Sequence, residues 1–224
     1  MNSPAVKGWI WLVGATIAIG LVIFASAWTL QYWQAWAYLA VIFVCSVPVT
    51  LFMISDPALL ESRTKIGPGA EQRPIQRLIV LVLFVPTIAE FVLPGLDHRF
   101  GWSRMPAWLS IAGDGLIVAS IAFSDRVFRA NAFGAATVQV AADQKVISTG
   151  PYAIVRNPMY SAAVVFFIGM ALALGSWWAL IPATLTIPCF AWRLSDEESL
   201  LAQSLPGYTD YQAKVRWRLI PGVY

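Results

Sequence analysis

Two short clusters combine side chains able to do chemistry. The first is Gly150-Pro151-Tyr152-Ala153-Ile154-Val155-Arg156-Asn157-Pro158-Met159-Tyr160, and the second is Arg193-Leu194-Ser195-Asp196-Glu197-Glu198. Arg156 offers a bidentate donor to an anion, and Tyr152 and Tyr160 offer aromatic faces to a purine or a cation. Pro158 suits the first position of a helix, where its missing N–H costs nothing. Unpaired amides and a positive dipole end at that helix start would attract an anionic ligand group. Adjacent carboxylates at Glu197 and Glu198 repel each other unless a cation or donor lies nearby, so a cationic ligand suits them. Each feature also has a plain structural role. Arg156 can be an interfacial arginine, Arg193 and Glu197 an i,i+4 pair worth about 0.2–0.5 kcal/mol, and Glu198 the partner of Ser195 in a capping box.

The elements that must position these clusters are membrane helices. Of 224 residues, 58% are hydrophobic and 12% charged, which is wrong for an ordinary soluble domain. Apolar runs near the length needed to cross about 30 Å of hydrocarbon occur at 9–29, 36–54, 77–95, 107–124, 159–175 and 177–193. The alternating segments of a barrel are missing, so the expected fold is all-α, a polytopic transmembrane helical bundle of five to six spans with a C-terminal cytoplasmic helical segment. The last two runs are short, and Gly175-Ser176 followed by Trp177 and Trp178 suggests a tight interfacial hairpin, either two steep spans or one re-entrant pair. Pro48, Pro86, Pro182 and Pro188 lie inside apolar runs and are expected to bend their helices.

With six spans, thirteen of the fifteen basic residues fall on one side and only Arg99 and Arg104 on the other. The bias of Lys and Arg toward the cytoplasm puts both termini and both clusters there. The net charge of +3 then reflects topology, and no basic stripe with interleaved aromatics suggests a nucleic acid. Lys7 precedes an apolar run ending in Ala25-Ser26-Ala27, a passable cleavage site, but the run is longer than a usual signal core. Cys45 and Cys189 fall within spans and behave as small apolar groups. His98 lies on the far loop without a second His or Cys beside it, so no metal site is expected. Glu90 and Asp114 are intramembrane acids, placed in the outer halves of their spans and expected to make structural hydrogen bonds.

The whole chain, 1–224, is expected to be a single membrane domain, with 1–124 as scaffold spans and 125–224 as the chemical portion. The loop from Asp56 to Arg77, with Gly67-Pro68-Gly69 as a turn, could cover the same surface. Residues 125–149 hold no run long enough to span. Leu201, Leu205, Tyr208, Tyr211 and Val215 recur at helical spacing, and Pro206-Gly207 must break that helix in two.

In order along the last ninety residues or so, Gly150-Pro151-Tyr152, Arg156-Asn157-Pro158-Met159-Tyr160, Arg193, Glu197-Glu198, Tyr208 with Tyr211, and Arg218-Leu219-Ile220-Pro221-Gly222-Val223-Tyr224 resemble the integral membrane methyltransferases. That superfamily includes the isoprenylcysteine carboxyl methyltransferases and the phospholipid methyltransferases. The resemblance implies S-adenosylmethionine as cofactor and a lipophilic acceptor: an isoprenylcysteine-like carboxylate, a phospholipid amine or a thiol. It implies that Gln144, Lys145, Val146 and Ile147 line the nucleotide, that Gly150, Tyr152, Arg156 and the Asn157-Pro158-Met159-Tyr160 turn complete the cofactor site with Glu197 and Glu198, and that Gln139 joins them if a small gap is allowed. Arg193 would orient the acceptor and Glu197 the cofactor or acceptor. Asn157 replaces the histidine of better-known members; an amide cannot titrate near neutrality, so general-base catalysis is not expected from it.

Two other readings fit parts of the chain. A membrane sterol- or steroid-reductase-like enzyme would bind NADPH, but Arg193 with Glu197-Glu198 favours methyl transfer. A non-enzymatic bundle or transporter would distribute charge along an internal path and often repeat its halves; here the charges gather at one end.

Overall fold

The computed structural model describes residues 3–64, 67–131, 137–138 and 144–223, and is helical throughout those residues apart from turns and connections. The helices are α1 (Pro4–Ala27), α2 (Trp33–Ser55), α3 (Pro57–Thr64), α4 (Pro74–Phe100), α5 (Ala107–Ala130), α6 (Pro158–Ala173), α7 (Leu180–Ser204) and α8 (Tyr208–Lys214), with 3-10 turns at Pro68–Ala70 and Gly150–Ala153. The all-α bundle is therefore present. α1, α2, α4 and α5 are long and apolar enough to cross a membrane. Their outward faces carry large apolar side chains such as Ile17, Leu21, Val44 and Val85, which in water would form a costly exposed surface. Lipid removes that cost.

The fifth and sixth expected spans take a different form from the first four. α6 has 16 residues, roughly 24 Å at 1.5 Å per residue, and α7 joins an apolar first half to the charged second cluster without a break. Gly175, at φ +70°, makes the turn between them. That turn reaches the end of the bundle opposite the clusters: Ser176 Oγ donates to Asp97 at the end of α4, and Trp177 Nε1 donates to the Arg104 carbonyl, 3.4 Å away. Tyr32, between α1 and α2, ties the same end by donating to the Leu174 carbonyl.

The core is a cluster of Ile23, Tyr38, Leu39, Ile117, Met170 and Leu174 drawn from α1, α2, α5 and the end of α6. α5 and α6 approach closely at glycine: a Cβ on Gly113 would lie 2.7 Å from the Gly169 carbonyl oxygen. Small residues allow such backbone contact between membrane helices. Pro48, Pro86 and Pro188 do lie inside helices, together with Pro94. Pro182 is the third residue of α7, a first-turn position where no intrahelical N–H is lost.

Two local expectations are corrected. Of the two courses open at Ser195, a new cytoplasmic helix or one continuing from the span, α7 takes the second, but without the capping box: the Ser195 hydroxyl donates to the Ala191 carbonyl at 2.7 Å while Glu198 turns to Arg156. The hydrogen bond expected for Glu90 is also missing. The residue is fully buried, and neither carboxyl oxygen has a partner among the described residues. The break at Pro206-Gly207 is as expected, since α7 ends at Ser204 and α8 starts at Tyr208.

Candidate functional site

The two clusters meet because α6 begins and α7 acquires its charges at the same end of the bundle. Between them is a cleft of about 270 Å³. A larger recess of about 880 Å³ lies between α1 and α2, but no ionisable side chain lines it. The cleft differs in that three arginines, a lysine, a glutamate and four tyrosines line it.

Gln144, Lys145, Val146, Ile147, Tyr152, Arg156, Asn157, Pro158, Met159, Tyr160, Arg193 and Glu197 all border this cleft. Gly150 opens the 3-10 turn that delivers Tyr152, at φ +59°, a left-handed conformation that favours glycine. Glu198 lies behind the wall, and Gln139 falls outside the described residues.

Arg156 is engaged inward. Its Nε donates to Glu198 Oε1 at 2.7 Å, Nη2 to Oε2 at 3.1 Å, and Nη1 to the carbonyls of Val215 and Arg216. Arg218 Nε adds a second ion pair to Glu198 at 3.2 Å, and Asn157 Nδ2 donates to it at 2.8 Å. The repulsion expected between Glu197 and Glu198 is thus relieved on one side by the protein's own cations. Nor are the amides at the start of α6 all open to a ligand: the N–H groups of Arg156 and Asn157 donate to the carbonyls of Trp217 and Arg218. The C-terminal segment occupies them. Breaking a buried pair such as Arg156–Glu198, whose side chains are 8% and 4% exposed, costs about 3–5 kcal/mol.

Arg193 does not make the simple i,i+4 pair. Its Nη2 donates to Glu71 Oε1 at 2.7 Å, Nη1 to Gln76 Oε1 at 3.1 Å and Nε to the Tyr160 hydroxyl at 3.1 Å. Tyr160 in turn donates to Glu197 Oε2 at 2.7 Å. One phenol therefore links the guanidinium to the carboxylate. Glu197 is half-buried, and its pKa is raised chiefly by burial, against the pull of the Tyr160 hydrogen bond and the Arg193 charge. Asp196, one residue earlier, pairs with Arg73 at 2.7 Å.

The far wall belongs to the tail. Leu205, Tyr208 and Tyr211 pack together with Val146, Tyr152 and Leu201. Tyr211 donates to the Tyr152 carbonyl at 2.7 Å, and Asn131 Nδ2 donates to the Tyr152 hydroxyl at 3.0 Å. Tyr208 lines the cleft with its hydroxyl buried and without a partner among the described residues. Such a group favours a ligand able to hydrogen-bond it.

Sequence reasoning missed Arg63, Glu71, Gln76 and Asn131. Glu71 and Gln76 fix Arg193, while Arg63 and Asn131 line the cleft. The polar Asp56–Arg77 loop was the available signal, and it does supply Arg63, Glu71, Arg73 and Gln76 to this end of the bundle. The α7 partners of Glu71, Arg73 and Gln76 lie more than a hundred residues away, too far for spacing to reveal them.

Residues 108–206 match the phospholipid methyltransferase family. The match runs from the second residue of α5 past the end of α7, and so includes both clusters but not α1–α4. No curated protein matches the chain.

Proposed function

We propose, from the premise that residues 108–206 are a phospholipid methyltransferase domain of the integral membrane methyltransferase superfamily, that this protein transfers a methyl group from S-adenosylmethionine to a lipophilic acceptor at the cytoplasmic membrane face. The observation that carries the reading is the convergence of residues 144–147, Tyr152, residues 156–160, Arg193 and Glu197 on one cleft, together with the Tyr208 hydroxyl that has no partner among the described residues. When bound, S-adenosylmethionine supplies a methyl on a positively charged sulfur, which leaves as a neutral thioether when an acceptor lone pair takes the methyl.

The residues fit that group. Glu197, fixed by Tyr160, presents a carboxylate suited to a sulfonium or ammonium. Tyr152 and Tyr208 offer ring faces and a hydroxyl to the nucleoside, with Gln144, Lys145, Val146 and Ile147 beside them. Arg193, fixed by Glu71, Gln76 and Tyr160, orients the acceptor. Asn157 is spent on Glu198 and takes no proton. Catalysis is then positioning and electrostatics, with proton removal needed only for an acceptor that arrives protonated.

Calorimetry on the detergent-solubilised chain tests this. S-adenosylmethionine and S-adenosylhomocysteine should bind, and Tyr152→Ala and Glu197→Gln should each weaken S-adenosylmethionine by about tenfold or more, the scale of one lost charged or stacking contact. Binding of NADPH alone would replace methyl transfer by hydride transfer. Parent-like binding by both folded variants would move the site elsewhere.

A further inference from the structure

Arg63 stands between two cavities. On one side is the polar cleft; on the other is an apolar groove of about 500 Å³ whose walls include Leu12, Ile19, Ile42, Met53, Phe128 and Phe166. The lining runs along α1 from Gly8 to Ile19 and along α2 from Met53 back to Tyr38. At 1.5 Å per residue those stretches are roughly 16 and 22 Å long. One leaflet of a hydrocarbon core about 30 Å thick is of similar depth. Leu60, Arg63 and Thr64 of α3 sit at the mouth.

The charge at that mouth is unusual. Arg156 and Arg193, the other guanidinium groups on the cleft, each hold a carboxylate. Arg63 has no carboxylate partner among the described residues, and its Nε is buried without a hydrogen bond. The guanidinium lies over the Phe128 ring, 4.3 Å from its centroid. Burial lowers its pKa to about 10, against smaller opposing effects of Tyr152, Glu197 and Tyr160, so it remains charged at neutral pH. A cation partly removed from water and lacking a counter-ion is costly, and an incoming anion would offset that cost. A membrane lipid brings both an anion and a chain of the length this groove accepts.

We propose that Arg63 anchors the phosphate of a membrane lipid whose hydrocarbon chain lies in the α1–α2 groove, and thereby selects the acceptor. That this lipid is the methyl acceptor rests on the function proposed above; the anchor itself does not. The phosphate at Arg63 would sit at the junction with the polar cleft, leaving the rest of the headgroup to reach toward Arg193 and Glu197.

The test is binding of defined lipids to the full chain in detergent, measured by native mass spectrometry with thermal unfolding of every variant. Dioleoyl phosphatidylethanolamine and dioleoyl phosphatidylglycerol should bind about tenfold tighter than dioleoylglycerol, the scale of one charge-assisted contact. Arg63→Gln should erase that preference and Arg63→Lys should keep part of it. Ala15→Trp, which fills the groove, should weaken all three lipids. The proposal is overturned if folded Arg63→Gln retains the phosphate preference, or if oleate, a carboxylate on one chain, binds as well as the phospholipids. If the parent shows the preference but binds neither S-adenosylmethionine nor S-adenosylhomocysteine, the methyl-transfer reading fails and the anchor stands.

Discussion

Glu197 and Glu198 are neighbours with opposite duties. Glu198 is 3% exposed and committed to Arg156, Arg218 and Asn157, so it joins α6, α7 and the tail. Glu197 faces the cleft with Tyr160 as its donor. Its raised pKa, due first to burial, gives a signed prediction. A sulfonium is attracted by the ionised form, so affinity for S-adenosylmethionine should climb as pH rises through the raised value. Affinity for S-adenosylhomocysteine, whose sulfur is neutral, should stay flat. Stability of the ligand-free protein runs the other way: the folded chain keeps a proton that the unfolded chain releases near the usual glutamate value of about 4.3, so this contribution is lost as pH rises from there through the raised value. Paired calorimetric titrations over a pH series check the contrast. Parallel pH profiles for the two ligands would remove Glu197 as the sulfonium's partner.

At the scale of elements, the α5–α6 contact holds the cleft together, because α5 ends at Ala130 with Asn131 as its C-cap and α6 begins at Pro158 with Asn157 as its N-cap. Ser120 Oγ also donates across it to the Ala162 carbonyl at 2.8 Å. Gly113→Val would push a side chain into the Gly169 carbonyl, at a cost of about 1–3 kcal/mol or more for overpacking. Both the thermal midpoint and cofactor affinity should fall, since displacing α6 displaces Tyr160. Gly115→Val is the control: a Cβ there meets nothing within 4 Å, and both measurements should match the parent. Equal destabilisation by the two variants would mean that helix propensity, not the close contact, sets the effect.

For the whole molecule, the thirteen basic residues on one side of the six expected spans, against two on the other, support the proposed orientation with the cleft toward the cytoplasm. With Cys45 and Cys189 replaced by alanine, a cysteine at exposed Lys214 should react with a membrane-impermeant maleimide only from the cytoplasmic side. One at exposed Arg104 should react only from the opposite side. The reverse pattern would invert the topology and deprive the cleft of a cytosolic cofactor.

Composition and apolar run length by themselves determined that the chain is a helical membrane bundle, because each span satisfies its own backbone in lipid and needs no distant partner to do so. Local chemistry likewise determined that Pro158 starts α6, that Gly175 turns the hairpin and that Pro206-Gly207 separates α7 from α8. The lengths of α6 and α7, and the partners of every charged group at the cleft, were decided only by tertiary packing. Arg156 might equally have faced a ligand or Glu198; the choice depended on a tail sixty residues away. Arg193 turned from Glu197 to Glu71 because the Asp56–Arg77 loop folds back beneath it, and Arg63 came to lie beside an apolar groove, with no carboxylate partner among the described residues, for the same reason. Charge pairing acts through space over a few ångströms, whereas sequence spacing reports only neighbours within a helix turn or two.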